Sequence, residues 1–326
     1  MKKWIIATML TSLLTSLTLG CSNQGGDSGT GKEEEAKPPA ESQLTSNSKK
    51  DASTNAPTNA PDDHLDEKKH FADIKNLSPL FGFANADGSQ IIVTGQKAGL
   101  EASLSKYGNM IGEGGKTYGV RFAKRQKGSE QSNGRDTANN FANLEGYIFD
   151  VIDGKTAPNE TYYVVNQQDF DLQSLLEITS PVQTGADAEH EAEEETLMEN
   201  ISLMRDRDVA QMWTLAGIGS GRKLYLVRFE DKGKDRLFSI ALFNGENFLF
   251  RDYPAVAEDD TSVWRVDDGG EVSPDMFPLL LAAETKQGLL LGMSWWGAEG
   301  VDSFFLLEDG ENLGELDIKY GRYTSP

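Results

Sequence analysis

Cysteine and histidine are nearly missing from this sequence: one Cys stands at position 21, and three His at 64, 70 and 190. A lone cysteine cannot close a disulfide within the chain, so the core alone has to hold the fold. Structural zinc is held mainly by Cys and His, and haem and iron–sulfur centres draw on the same side chains. Neither a metal site nor a cofactor is therefore expected. A Ser-His-Asp triad would have to borrow His190 from an acidic stretch, which argues against that chemistry.

Basic residues are also scarce. The chain has 31 Lys and Arg against 52 Asp and Glu, a net charge of −21. Two lysines lie near the N-terminus and residues 22–70 are only mildly acidic, so nearly all of that charge falls on the remainder. A surface so negative repels phosphate backbones, which excludes nucleic acid as a partner. It also disfavours lying on anionic lipid, which basic patches favour.

No long apolar run is present either. A spanning helix needs ~20 predominantly apolar residues. The best stretch, residues 4–19, is shorter and diluted by Thr8, Thr11, Ser12, Thr15, Ser16 and Thr18. Lys2 and Lys3 precede it, and Leu17-Thr18-Leu19-Gly20-Cys21 ends it. A basic start, a short apolar centre and a small residue before the cut make the layout of a secretory signal peptide. The Thr18-Leu19-Gly20-Cys21 ending resembles the lipobox of bacterial lipoproteins, although Thr18 stands where that family more often has leucine. The resemblance covers about the first twenty residues. It implies cleavage after residue 20, lipid on Cys21, and anchoring on the extracytoplasmic face of a membrane, where two or more acyl chains hold stably.

From residue 21 to 70 the composition changes. Residues 22–70 contain no Phe, Tyr or Trp, and Leu44 and Leu65 are their only large aliphatics. Such a segment buries too little apolar surface to offset the entropy of ordering. It is expected to be a disordered stalk, reaching ~40 Å on average as a flexible chain.

Residues 71–326 are expected to form a β-rich extracytoplasmic domain. Apolar runs at 90–94, 118–122, 146–152, 162–165, 223–229, 237–243, 247–251, 289–295 and 303–307 read as strands. Asp87-Gly88, Asp153-Gly154, Asn244-Gly245, Asp268-Gly269 and Asp309-Gly310 are hairpin-turn dipeptides. Four strand-like segments follow one another from Phe277 onward. The pattern predicts a mainly β fold of antiparallel sheets joined by hairpins, leaving sandwich, barrel and small propeller open. Short helices are predicted over 98–107 and 189–204. The acidic run at 183–196 reads as a solvated loop and a possible break in the domain, since like charges so close repel.

Two short motifs fall away on inspection. Ser103-Leu104-Ser105-Lys106 matches S-x-x-K, but no Ser-Asp-Asn follows, and the same pattern recurs at 46–49. Gly115-Lys116-Thr117 lacks the first glycine of a phosphate loop, Met110 standing in its place.

The C-terminal third gathers unusual side chains. Neighbours on a strand face opposite ways, so of Trp295 and Trp296 one is expected in the core and one outward. Trp264, Arg265, Trp295 and Trp296 are the candidate binding residues, with Asp252, Asp267, Asp268 and Glu299 beside them. The leading expectation is a non-catalytic domain that binds or scaffolds an envelope glycan or protein partner. The alternatives are a glycan-acting hydrolase using a carboxylate pair from those four acids, and a cation-binding module built on the acidic run.

Overall fold

The computed structural model describes residues 69–180, 188–258 and 261–325, with backbone alone at 188–192. The lipobox-like segment, the stalk up to residue 68 and positions 183–187 of the acidic run lie outside the described residues, as does the His190 side chain. The described chain is mainly β, with antiparallel sheets in three layers. His70, expected in the stalk, is tied to the domain through Nδ1 and the Asp171 carboxylate, 2.7 Å apart.

The first layer is a closed barrel. Its strands are β1 (Phe81–Ala84), β2 (Gln90–Val93), β3 (Asn109–Gly112), β4 (Lys116–Gln126), β5 (Gly146–Val151) and β6 (Thr161–Val165). They run in the order β1-β2-β5-β4-β3-β6 around the barrel, each antiparallel to its neighbours. Side chains alternate along each strand. Ile91, Val93, Tyr147, Phe149, Tyr162 and Val164 pack into one cluster with Met110 and Val120, as the filled interior of a small barrel requires. The intervening residues are also covered: Ile92 and Ile148 pack with Phe83, Phe141 and Leu144. That double burial explains why these strands read as continuous apolar runs.

The second layer is the meander expected after Phe277: β12 (Leu279–Glu284), β13 (Leu289–Trp296), β14 (Gly300–Asp309) and β15 (Asn312–Tyr323). Both of its faces are buried. Leu281, Ala283, Leu290, Phe305 and Tyr320 pack toward Phe81, Tyr163 and Val165 of the barrel. Ala282, Leu289, Leu291, Met293, Phe304 and Leu306 pack the other way.

The third layer completes a sandwich on that second face. It is a five-stranded sheet ordered β11-β10-β9-β8-β7, from β7 (Ile178–Thr179), β8 (Val209–Ile218), β9 (Arg222–Phe229), β10 (Asp235–Phe243) and β11 (Phe248–Val256). Barrel and sandwich thus coexist in one domain, with the central sheet packed between the barrel and the five-stranded sheet.

Four local expectations need correction. Asp153-Gly154 does not make a hairpin, because β5 pairs with β2 and β4 and never with β6; residues 152–160 carry the chain across the barrel end. Asp268-Gly269 lies in the long connection between β11 and β12, which are not paired either. The third concerns the acidic run, which from residue 188 onward is helix α2 (Ala188–Arg205), not a loop. Leu197, Met198 and Ile201 pack on Met212, Tyr225 and Val227 at the outer face of the five-stranded sheet. Burial of that stripe holds the helix, while Glu193, Glu195 and Glu199 stay exposed. The helix predicted over 98–107 is real only as one turn, α1 (Glu101–Leu104), of which Leu104 alone is buried.

Candidate functional site

The two tryptophans that end β13 face opposite layers. Trp295 pairs with Asp302 of β14, and Trp296 with Val301. Val301 in turn pairs with Arg322 of β15, so Trp296, Val301 and Arg322 form one cross-strand row. The guanidinium of Arg322 lies 5.4 Å from the Trp296 ring and 4.6 Å from the ring of Phe83 in the barrel. Only 3% of Arg322 is exposed. Its guanidinium donates to the carbonyl oxygens of Asn159 (2.9 Å) and Asp136 (3.4 Å). Burial lowers the pKa of Arg322, against Tyr320, Glu160 and Asp136, which raise it.

In front of this row is a cleft of about 430 Å³. Glu160, Asp275, Met276, Pro278, Trp296 and Gly297 line it. Three connections converge there: the end of the β5–β6 crossover, the approach to β12 and the β13–β14 turn. Burial pushes the Glu160 carboxyl up; Arg322 opposes that rise and Glu113 adds to it. A second cleft, of about 690 Å³, opens on the other side of Asn159–Glu160. Asn133, Arg135, Asn139, Asn159 and Thr324 stand on its walls beside Ala86, Ala138 and Pro158. Arg135 lies 4.1 Å over the Tyr323 ring beside it. Asn159 holds a left-handed backbone (φ 65°), and its side-chain oxygen accepts from the Ala138 amide.

The remaining binding candidates serve the fold. Trp295 packs against Phe238, Tyr253 and Phe277, with centroids 5.3–5.4 Å apart. Trp264 meets Phe238 edge-on, and its indole N–H donates to the Tyr253 carbonyl at 2.8 Å. Arg265 lies 5.4 Å over the Trp295 ring and donates to the carbonyls of Trp295 and Gly300. It also pairs with Asp302 at 3.4 Å. A Cβ at Gly297 would stand 2.7 Å from Arg265 Nε, so a larger residue there requires the Arg265 side chain to shift. Trp264, Arg265 and Trp295 are therefore brought together as a packed plug over one end of the sandwich.

The four acids put forward from sequence do not assemble a carboxylate pair. Asp252 is held by Arg205 of α2 and by the Ser239 hydroxyl (2.6 Å). Asp268 accepts four backbone N–H groups, from Val263, Trp264, Arg265 and Gly270. Burial alone would raise its pKa, but those four bonds outweigh it and hold the carboxyl low. Asp267 is exposed in a left-handed turn (φ 54°). Glu299 contributes its carbonyl, which accepts from the amides of Thr324 and Ser325.

The acids that line the Trp296 cleft, Glu160 and Asp275, carried no sequence signal. Each stands in a connection, and only the stacking of barrel on central sheet brings them beside Trp296. Among the described residues, no group of three or more His, Cys, Asp or Glu is placed to hold a metal ion, and no helix is long and apolar enough to cross a membrane. No protein-family model matches this chain, and neither a curated protein nor a solved structure matches it.

Proposed function

We propose that this protein is a lipid-anchored extracytoplasmic binding protein, tethered through Cys21, whose domain takes an envelope glycan in the Trp296 cleft. The anchor rests on the boundary between the apolar leader and the polar stretch, marked by the chain's one cysteine. The ligand class rests on a single observation: an indole and two carboxylates share the wall of one open cleft. Pockets that hold small molecules combine apolar surface with a few placed polar groups. An indole offers a flat apolar face to a sugar ring, and carboxylates accept hydrogen bonds from its hydroxyls.

Two experiments test the two halves. Cys21→Ser is expected to abolish incorporation of a radiolabelled fatty acid and to release the protein from the membrane fraction. An unlabelled wild-type protein would end the anchor proposal. For the cleft, the full chain is titrated with soluble oligomers of β-1,4-linked N-acetylglucosamine, following tryptophan fluorescence. Trp296→Ala is expected to weaken binding at least tenfold while the fold is retained. Unchanged affinity in that variant, or no binding by the parent, would remove the glycan.

One observation favours a second reading, a glycan-acting hydrolase. A carboxyl raised by burial is what a general acid needs, and Glu160 has that property with Asp275 across the same cleft. Glu160→Gln separates the two. Loss of turnover with binding retained supports the hydrolase, and a parent that binds without turnover supports the binding protein.

A further inference from the structure

The face of α2 turned away from the sheet has an unusual composition at its C-terminal end. Leu203 is 82% exposed and Met204 52% exposed, on consecutive positions of the helix. Large apolar side chains so open, next to each other, mark interaction surfaces more often than free solvent faces. Beside them a groove of about 700 Å³ runs between α2 and the start of β8. Met198, Leu203 and Val209 form its floor and one edge, and Glu195, Glu199 and Asp208 stand along its rim.

Two bases, Arg207 and Lys232, stand on the other side of Leu203, against the four acids Glu195, Glu199, Asp206 and Asp208, so the local charge is net negative. Arg207 donates to the carbonyls of Glu230 and Asp235, both at 2.8 Å, and Lys232 donates to the Asp206 carbonyl at 2.9 Å. The groove therefore joins an apolar floor to a rim whose glutamates, Glu195 and Glu199, are both exposed. A sugar gains little from such a site. A helix with apolar residues at i, i+3, i+4 and i+7 and lysines or arginines on its flanks would meet the floor and the rim together. Charge complementarity thus selects one occupant over the others. A second copy of this chain would bring acid against acid, since the protein carries −21.

We propose that the α2–β8 groove is a docking site for a basic amphipathic helix of a partner protein. The site is separate from the Trp296 cleft, on a different sheet, and does not depend on what that cleft binds. Affinity would come from burying Leu203 with Met198 and Val209, and the rim would set orientation and a salt-dependent association rate.

The test uses the full chain and an 18-residue Leu/Lys peptide with apolar residues at helical spacing. Its controls are a scrambled peptide of the same composition and an amphipathic Leu/Glu peptide. The helical basic peptide is expected to bind at least tenfold tighter than its scrambled form, and the acidic one not to bind. Leu203→Asn is expected to lower affinity at least tenfold and Glu199→Lys about fivefold, each with an unchanged circular-dichroism melt. Leu203 is exposed enough for that control to hold. Equal binding of the scrambled peptide would reduce the effect to plain charge attraction and overturn the proposal. Unchanged affinity in Leu203→Asn would overturn it too. So would a dimer in sedimentation velocity that Leu203→Asn dissolves, since the groove would then be a self-interface.

Discussion

Trp295→Ala is expected to destabilise the domain by about 3 kcal/mol, the low end of the range for truncating a core aromatic, because its ring is half-buried. The adjacent Trp296→Ala is expected to cost only ~1–2 kcal/mol, mostly a lost cation–π contact. The contrast follows from the pleat. Trp295 fills the sandwich end among Phe238, Tyr253 and Phe277, and its removal also takes the platform from under Arg265. Trp296 borders an open cleft on one side and stacks with Arg322 on the other. Urea unfolding of the two variants measures the difference. Equal costs would show that the sheet does not divide them as described.

Glu113→Gln is the second large effect, expected at about 2–4 kcal/mol. Glu113 sits in the β3–β4 turn with a left-handed backbone (φ 47°), followed by two glycines that share the positive φ. That tight turn folds the carboxylate back onto the barrel end. It accepts from the Tyr162 hydroxyl, the Tyr118 hydroxyl (3.0 Å), the Ala157 amide (3.0 Å) and Lys116 (3.1 Å). Hydrogen bonds to a charged acceptor are each worth ~1.5–3 kcal/mol. Glutamine keeps the shape but loses the charge: its oxygen can still accept from Tyr162, Tyr118 and Ala157, as a weaker neutral acceptor, while its amide nitrogen, in the Oε2 position, cannot accept from Lys116.

The same carboxylate makes a pH prediction. Burial alone would raise its pKa, but bonds from Tyr162, Ala157, Lys116 and Tyr118 outweigh that and bring it to about 2, below the ordinary 4.5. A depressed pKa means that the unfolded chain binds the proton more readily. The stabilisation is therefore full above pH 4.5 and is lost as pH falls toward 2. Asp136 and Glu160, both raised by burial, act in the opposite sense, so the measurement has to be a difference. The gap in stability between the parent and Glu113→Gln should shrink from pH 6 to pH 2.5. A constant gap would mean that the carboxylate charge is not what the turn depends on.

Most strands were legible because their signal is local. Asn244-Gly245 turns β10 into β11, and Asp309-Gly310 turns β14 into β15, as the type of turn demands. Asp153-Gly154 and Asp268-Gly269 carry the same letters without hairpins. Positive φ is all that such a dipeptide secures. Gly154 and Gly269 have it, at 81° and 59°, in connections between unpaired strands. Helix α2 shows two local signals in conflict: apolar spacing predicted a helix over 189–204, charge repulsion argued for a loop over 183–196, and burial of Leu197, Met198 and Ile201 against the sheet favours the helix.

The sequence by itself determined the broad class: the composition gave an acidic chain whose one cysteine can close no disulfide within it, and the apolar runs with their hairpin dipeptides gave a mainly β fold of antiparallel sheets. Alternation alone determined that Trp295 and Trp296 face opposite ways, because successive side chains of a strand always do. Which of them is core, and what the other meets, was decided by the stacking of layers. The barrel sets Phe83 against Arg322 and Arg322 against Trp296, over residues far apart in sequence. Glu160 and Asp275 reach the same cleft from connections that no periodicity marks. Turns and strands depend on neighbours along the chain, and the order of residues carries them. A cleft depends on which connections the packed sheets bring to one end, and that is a property of the tertiary fold.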